Sequence, residues 1–295
     1  MKLRGYGEDR LVAELLDGLA AGKQVIVGAG DDCAVVGRRS AKKWLLLKTD
    51  CIVEDVHFTG RSDPFQIGWK AAARAISDIA AMGGLPQHAL VTVAASPEME
   101  VAFLKAIYRG LDSAVGKFGA AIVGGETSRS PSSLFISVAL TGEVESGRCV
   151  TRSGGKAGDA LFVTGQLGGS LRGRHLTFIP RVNEARWLTK HFPIRAMMDL
   201  SDGLGADLPR LAKASAVSFE IEELSLPLTP GSAAQNAIGD GEDYELLFSI
   251  SSSHSQKLLR AWRRKFPKLP LTEIGKLVRR ASDGTSNTNG FDHFA

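Results

Sequence analysis

Cysteine is scarce in this 295-residue chain, and Cys33, Cys51 and Cys149 are odd in number and lack paired spacing. That excludes a secreted disulfide framework and a zinc site built from Cys pairs, and it makes a reducing cytoplasm the expected location. No run of about eighteen uncharged apolar residues occurs, and the start MKLRGYGEDRLVAELLDGL has no continuous apolar stretch, so neither a membrane span nor an export signal is expected. Charge of one sign is also missing: 36 Lys and Arg against 32 Asp and Glu give a net +4. This balance is too mild and too dispersed to argue for a nucleic-acid partner. Nothing matches the phosphate loop GxxxxGK[ST], no dinucleotide fingerprint follows a strand, and no repeat or heptad appears. The familiar nucleotide folds are thereby disfavoured. With 44% hydrophobic and 23% charged residues, the chain is long enough for two packed domains.

What is present is a set of five short acidic stations: Gly30-Asp31-Asp32, Thr49-Asp50, Ser77-Asp78, Gly124-Gly125-Glu126 and Asp199-Leu200-Ser201-Asp202-Gly203. No local motif explains them, so they read as one folded site for Mg²⁺. This hard cation takes oxygen ligands, keeps some waters and shares its other positions with phosphates. That points to nucleotide chemistry.

Apolar spacing predicts a helix over Glu8–Ala21 and strands over Gln24–Val27, Cys33–Val36 and Trp44–Thr49, which puts the first acids at strand ends. An Ala-rich helix follows over Pro64–Met82, then a strand over Leu90–Ala94, a helix over Met99–Phe118, and strands over Ala121–Val123 and Leu134–Thr141. The polar, Gly-rich stretch Glu145–Asp159 reads as a linker, which divides the chain into domains 1–144 and 145–295. In the second half, strands are expected over Ala160–Thr164, Phe219–Ile221 and Leu246–Ile250. Helices are expected there over Glu184–His191, Ala206–Ala214 and the basic Ser252–Phe266. The pattern is α/β of the α+β type, and Arg279–Asn289 reads as a loose loop.

Nine ordered motifs carry a resemblance across nearly the whole chain. They are GDDCAVV at 30–36, KTDCIVEDVHF at 48–58, ISDIAAMGG at 76–84, IVGGETSRS at 122–130, LTGEV at 140–144, TRSGGKAGD at 151–159, DLSDGLGADL at 199–208, GDGEDYELLF at 239–248 and GFDHFA at 290–295. Together they resemble the thiamine-monophosphate kinase family, of the aminoimidazole ribonucleotide synthetase fold group. The resemblance implies two α/β domains: an N-terminal one with a mixed sheet that binds ATP and Mg²⁺ and forms a homodimer, and a C-terminal one that completes the site. It also implies transfer of the γ-phosphoryl of ATP directly onto thiamine monophosphate, with several Mg²⁺ ions.

By the same resemblance Asp32, Thr49, Asp50, Asp78, Glu126, Asp199 and Asp202 are metal ligands, with Asp50 and Asp78 at the centre of metal-assisted catalysis. Gly125, Glu126, Arg152 and Ser201 contact ATP, and His57, Glu242 and Phe291 contact thiamine monophosphate. Independent physics agrees with the class of reaction. Phosphoryl transfer asks for alignment and neutralisation of spread charge, and an acceptor phosphate, already ionised at neutral pH, needs no general base. Two other readings remain: another ATP-using enzyme of the fold group, or a nucleotide-binding homologue with little kinase activity.

The chain departs from the family pattern at four places. Glu126 stands where the motif has Asp, and its extra methylene moves the carboxylate outward by roughly one bond length. Lys48 fills a position that often carries a metal-bound hydroxyl residue, so fewer Mg²⁺ ions are expected. The segment from Gly169 to Pro180 is short, as if a helix were lost, and Asp240 adds a negative charge before Gly241. Asp31, Asp55 and Asp207 read as turn or cap residues, the stripe at 70–83 apart from Asp78 as helix packing, and Arg260, Arg263, Arg264 and Lys265 as a solvated face.

Overall fold

The computed structural model describes residue 3 and residues 6–19 and 22–280. Phe291 and the GFDHFA end, singled out above, lie outside the described residues. After a first helix, α1 (Glu8–Leu16), the N-terminal half carries β1 (Val25–Val27), β2 (Ala34–Val36), β3 (Lys43–Val53), α2 (Pro64–Ala81), β4 (Leu85–Ala95), α3 (Val101–Lys117), β5 (Ala121–Arg129) and β6 (Phe135–Glu145). Six of these strands form one mixed sheet in the order β1-β2-β3-β6-β4-β5. Only β4 and β5 run parallel, and α3 supplies the crossover that a parallel pair requires.

The C-terminal half comprises β7 (Asp159–Thr164), α4 (Val182–His191), β8 (Ala196–Asp199), α5 (Leu204–Ala214), β9 (Ser218–Ile221), α6 (Ala234–Gly239), β10 (Leu246–Ser251), α7 (Ser255–Lys265) and β11 (Leu271–Val278). Its sheet, ordered β8-β10-β7-β11-β9, is antiparallel throughout. Phe162 and Phe248 face one core, shared with the first half, while Leu161, Val163 and Leu247 face a second core under α5. Burial on both faces explains why these strands read as continuous apolar runs.

Helix α2 organises the molecule. Asp63 accepts a hydrogen bond from the Gln66 N–H at 3.1 Å as the N-cap, Pro64 takes the first turn, and Gly83 at φ 73° ends the helix. Gly68 faces the Ile107 carbonyl of α3, and Gly110 faces the Phe65 carbonyl of α2, each so closely that a Cβ would overlap it. The two helices therefore meet backbone to backbone, which fixes α2 against α3.

Several boundaries differ from the expectations. β3 does not stop at Thr49 but runs to Val53, so Thr49 and Asp50 lie inside the strand; Asp50 is tolerated there because Arg74 pairs with it. β5 continues through Gly124-Gly125-Glu126, whose weak strand propensity is overridden by the ladder with β4. β8, β11 and α6 were not expected: β8 has four residues, α6 six, and β11 is interrupted by a bulge at Gly275. The shortened 169–180 segment forms two turns of 3₁₀ helix, Ser170–Arg172 and Arg174–Leu176.

Candidate active site

Along β3 the side chains that face the helices are Leu46, Lys48, Asp50 and Ile52, by the alternation of a strand. Leu46 and Ile52 are fully buried, so the two charged residues between them occupy core positions that need partners. α2 supplies both from successive turns. Lys48 Nζ lies 2.8 Å from Asp78 Oδ1, and Arg74 Nε donates to Asp50 Oδ2 at 3.2 Å. A crossed quartet results, with Lys and Asp two apart on the strand and Arg and Asp four apart on the helix.

Asp78 also belongs to a second cluster. One carboxylate oxygen each of Asp32, Asp78 and Asp199 lie within 4.8 Å of one another, brought from the loop before β2, from α2 and from the end of β8. Ser77 Oγ donates to Asp199 Oδ2 at 2.5 Å, and Arg152 donates Nε and Nη2 to Asp32 Oδ1 at 3.1 and 2.6 Å. Asp32 Oδ2 is buried and has no hydrogen-bond partner among the described residues. Burial and the neighbouring Asp32 charge push Asp199 up to about 7, and burial raises Asp78 well above the carboxylate range, with Lys48 opposing. Three hard oxygens under mutual repulsion, beside a carboxylate that keeps one oxygen unpartnered, are a donor set that fits Mg²⁺.

The remaining ligand candidates are placed elsewhere. Thr49 alternates to the sheet face that α2 and α3 leave uncovered, where its Oγ1 is 3.5 Å from Ser137 Oγ. Glu126 sits on that same face, exposed, paired in register with Thr92 and without a side-chain hydrogen bond or ion pair among the described residues. The missing Cβ of Gly125 is required by the Val91 backbone, against which it packs. Asp202 is ion-paired to Arg210, and its N–H donates to Asp207 Oδ2 at 3.0 Å. Ser201 presents its carbonyl to the Glu242 N–H at 2.7 Å, which ties the 199–203 turn to the substrate-binding candidate.

Toward the other end of α2 a cavity of about 440 Å³ opens between the two halves, lined by His57, Phe58, Thr59, Arg172, His175 and Glu242 among others. Behind three of these lining residues lies Lys70, fully buried, whose Nζ donates to the His57 carbonyl at 2.5 Å and to Glu242 Oε2 at 2.8 Å, with His175 Nδ1 at 2.8 Å. His57 Nδ1 accepts from the Val53 N–H at 3.1 Å, which puts the proton of the neutral ring on Nε2. Burial acts to raise the Glu242 carboxyl, but the hydrogen bond from His175 and the Lys70 charge hold it down at about 2. Complete burial in turn lowers Lys70 to about 8. Asp55, Glu242 and Tyr244 all have positive φ, at 65°, 54° and 51°, so backbone strain concentrates at this cavity. Phe178 stacks on Tyr244 with ring centroids 4.0 Å apart and holds that strained turn.

Lys70, Arg74, Arg172 and His175 were not among the candidates drawn from the sequence. The signal for two of them was available: Lys70, Arg74 and Asp78 recur every four residues in an otherwise apolar Ala stripe, a charged seam where packing alone needs none.

The family model for the N-terminal domain of AIR synthase related proteins matches residues 30–144. The thiamine-monophosphate kinase of Rhodopirellula baltica is 38% identical, with 87% of this chain and 85% of that one covered. That of Bacillus subtilis is 33% identical, with 92% and 94% covered. The solved structure of AaThiL complexed with AMPPCP and TMP is 33% identical and superposes with a TM-score of 0.85 over 100% of this chain and 99% of that one.

Proposed function

This chain belongs to the thiamine-monophosphate kinase family, and from that premise we propose that it transfers the γ-phosphoryl group of ATP onto thiamine monophosphate, giving thiamine diphosphate and ADP. A phosphate oxygen of the acceptor forms the new P–O bond while the bond to the β-phosphate oxygen breaks, and ADP leaves with that electron pair. The observation that carries the reading is the two-ended face of α2, with the cavity over Lys70 at one end and the carboxylate cluster at Asp78 at the other. Eight residues separate them, about 12 Å along the helix axis. That distance accommodates an acceptor phosphate and a γ-phosphate between the two ends.

In this reading Asp32, Asp78 and Asp199 hold Mg²⁺, and Asp50 lies beside them through Arg74. An ion held there would supply positive charge against the phosphate oxygens during transfer. Arg152 and Ser201, at the cluster, face the nucleotide phosphates, with Gly125 the more distant nucleotide candidate. His57 Nε2–H and Glu242 serve the acceptor: the first as a donor to its phosphate, the second as an anion near the thiazolium cation. Phe291, outside the described residues, remains the stacking candidate for the acceptor by the family resemblance alone. Thr49 and Glu126 lie on the other face of the sheet and share no ion with the cluster. Residues 1–144 form the ATP, metal and dimerisation domain, and 145–295 complete the cleft.

The homodimer is supported by the uncovered face of the first sheet. It exposes Leu45, Leu47, Leu85, Leu90 and Val123, an apolar surface that a second copy would cover. Among the described residues no helix is long and apolar enough to cross a membrane.

The test is product formation from ATP, Mg²⁺ and thiamine monophosphate, resolved by chromatography. Thiamine diphosphate appearing in step with ADP supports the reading. ATP binding without diphosphate transfers the function to another acceptor.

A further inference from the structure

We infer that Lys48 and Arg74 are built-in replacements for metal ions, so that the protein itself holds a single divalent cation, at Asp32, Asp78 and Asp199. The inference rests on the reading of that cluster as the Mg²⁺ site. Four carboxylates converge in this part of the cleft: Asp32, Asp50, Asp78 and Asp199. Three of them already carry a cation from the chain. Lys48 is 2.8 Å from Asp78, Arg74 is 3.2 Å from Asp50, and Arg152 is 2.6 Å from Asp32. With all four carboxylates ionised, as metal ligands must be, the protein-borne charge of the group is about −1 rather than −4, and one divalent ion reverses it.

Two details say where that ion goes and where no second one does. Asp32 is only 2% exposed and its Oδ2 has no partner among the described residues, so this member of the cluster keeps one buried acceptor unsatisfied. On the β3 side, the Lys48 ammonium occupies the space next to Asp78 Oδ1, and its attraction extends to Asp50 and Asp199. A further divalent ion bridging Asp78 to β3 would meet that ammonium at near-contact range in a site largely closed to water, where like charges repel strongly. The ammonium is tethered by a covalent stem to a central strand, so it cannot leave as a bound ion does. Neutralisation that freely exchanging metal would provide is thus made permanent on this side of the cleft.

The experiment is a count of bound Mn²⁺, used as the probe, in the metal-free full-length protein without nucleotide. Free Mn²⁺ is followed by its paramagnetic resonance signal and the stoichiometry is checked by calorimetry. The expected result is one Mn²⁺ per wild-type chain, two in Lys48→Ser, and one in Lys48→Arg. Two or more ions in the wild type, or none, would overturn the inference whether or not the variant folds. A folded Lys48→Ser that still binds one would overturn the role of Lys48. Failure here is separable from failure of the kinase reading: a protein that makes thiamine diphosphate while holding two ions loses only this inference. One that holds a single ion but makes no diphosphate loses only the reaction.

Discussion

Replacing Lys70 by Met removes the one fully buried ammonium of the described core and leaves its partners in place. Its Nζ is shared among the His57 carbonyl, His175 Nδ1 and the Glu242 carboxylate, all within 2.8 Å. The Met side chain fills most of the volume, so the loss is chiefly electrostatic. Glu242, whose side chain is 17% exposed, keeps a negative charge supported by His175, the more distant Arg74 charge and a 3.4 Å contact from the Tyr244 hydroxyl. Breaking a buried pair from one side costs about 3–5 kcal/mol. Urea denaturation should therefore show Lys70→Met destabilised by about that amount. Glu242→Gln in the same background should restore part of it, with a coupling of about 1–3 kcal/mol between the two sites. A loss under about 1 kcal/mol, or strict additivity in the double variant, would refute the view that Lys70 is there to hold Glu242.

Asp50→Asn leaves Arg74 without its charge partner beside the cluster and is expected to lower kcat by about 10²–10³, read from steady-state diphosphate formation; an unchanged kcat removes Asp50 from the site. The Glu242 carboxyl, held at about 2 against an ordinary 4.5, contributes stability that is complete above about pH 4.5 and is lost as pH falls toward 2, amounting to about 3 kcal/mol. Melting temperatures of Glu242→Gln should accordingly vary less between about pH 5 and pH 3 than those of the wild type, and parallel curves would contradict this. Gly68→Ala forces a methyl group into the Ile107 carbonyl and should cost about 1–3 kcal/mol in thermal or chemical unfolding, whereas Gly116→Ala, with open space around it, should be mild. Phe291→Ala should mainly raise KM for thiamine monophosphate at constant kcat, and an unchanged KM ends its stacking role.

Much of the fold was legible because its signals are local. The Asp63-Pro64 start and Gly83-Gly84 stop of α2 announce themselves, and the alternation of β3 and β6 and the gap between β6 and β7 follow from composition. What sequence could not supply was the facing of one element by another. Thr49 and Asp50 are adjacent in the chain, yet strand alternation sends them to opposite faces of the sheet. Lys48 read as an anomaly until α2 placed Asp78 against it. Lys70 and Arg74 were absorbed into a packing stripe because the residues that give them meaning, Glu242 and Asp50, lie 172 and 24 positions away. His175 and Arg172 come from a segment whose shortening was visible but whose two tight turns, which bring both residues to the cavity lining, were not.

The backbone contact between Gly68 and Gly110 also bears on how such a protein can change over time. Because α2 is pinned there and carries Lys70, Arg74 and Asp78 on one face, any drift of the helix displaces both ends of the cleft together, and neither can be retuned alone from this element. The turns at 55–62 and 170–176 line the cavity and supply no carboxylate to the cluster. New acceptor preferences therefore have those two turns as their open route, while the helix passes on unaltered the spacing that every successful variant must share.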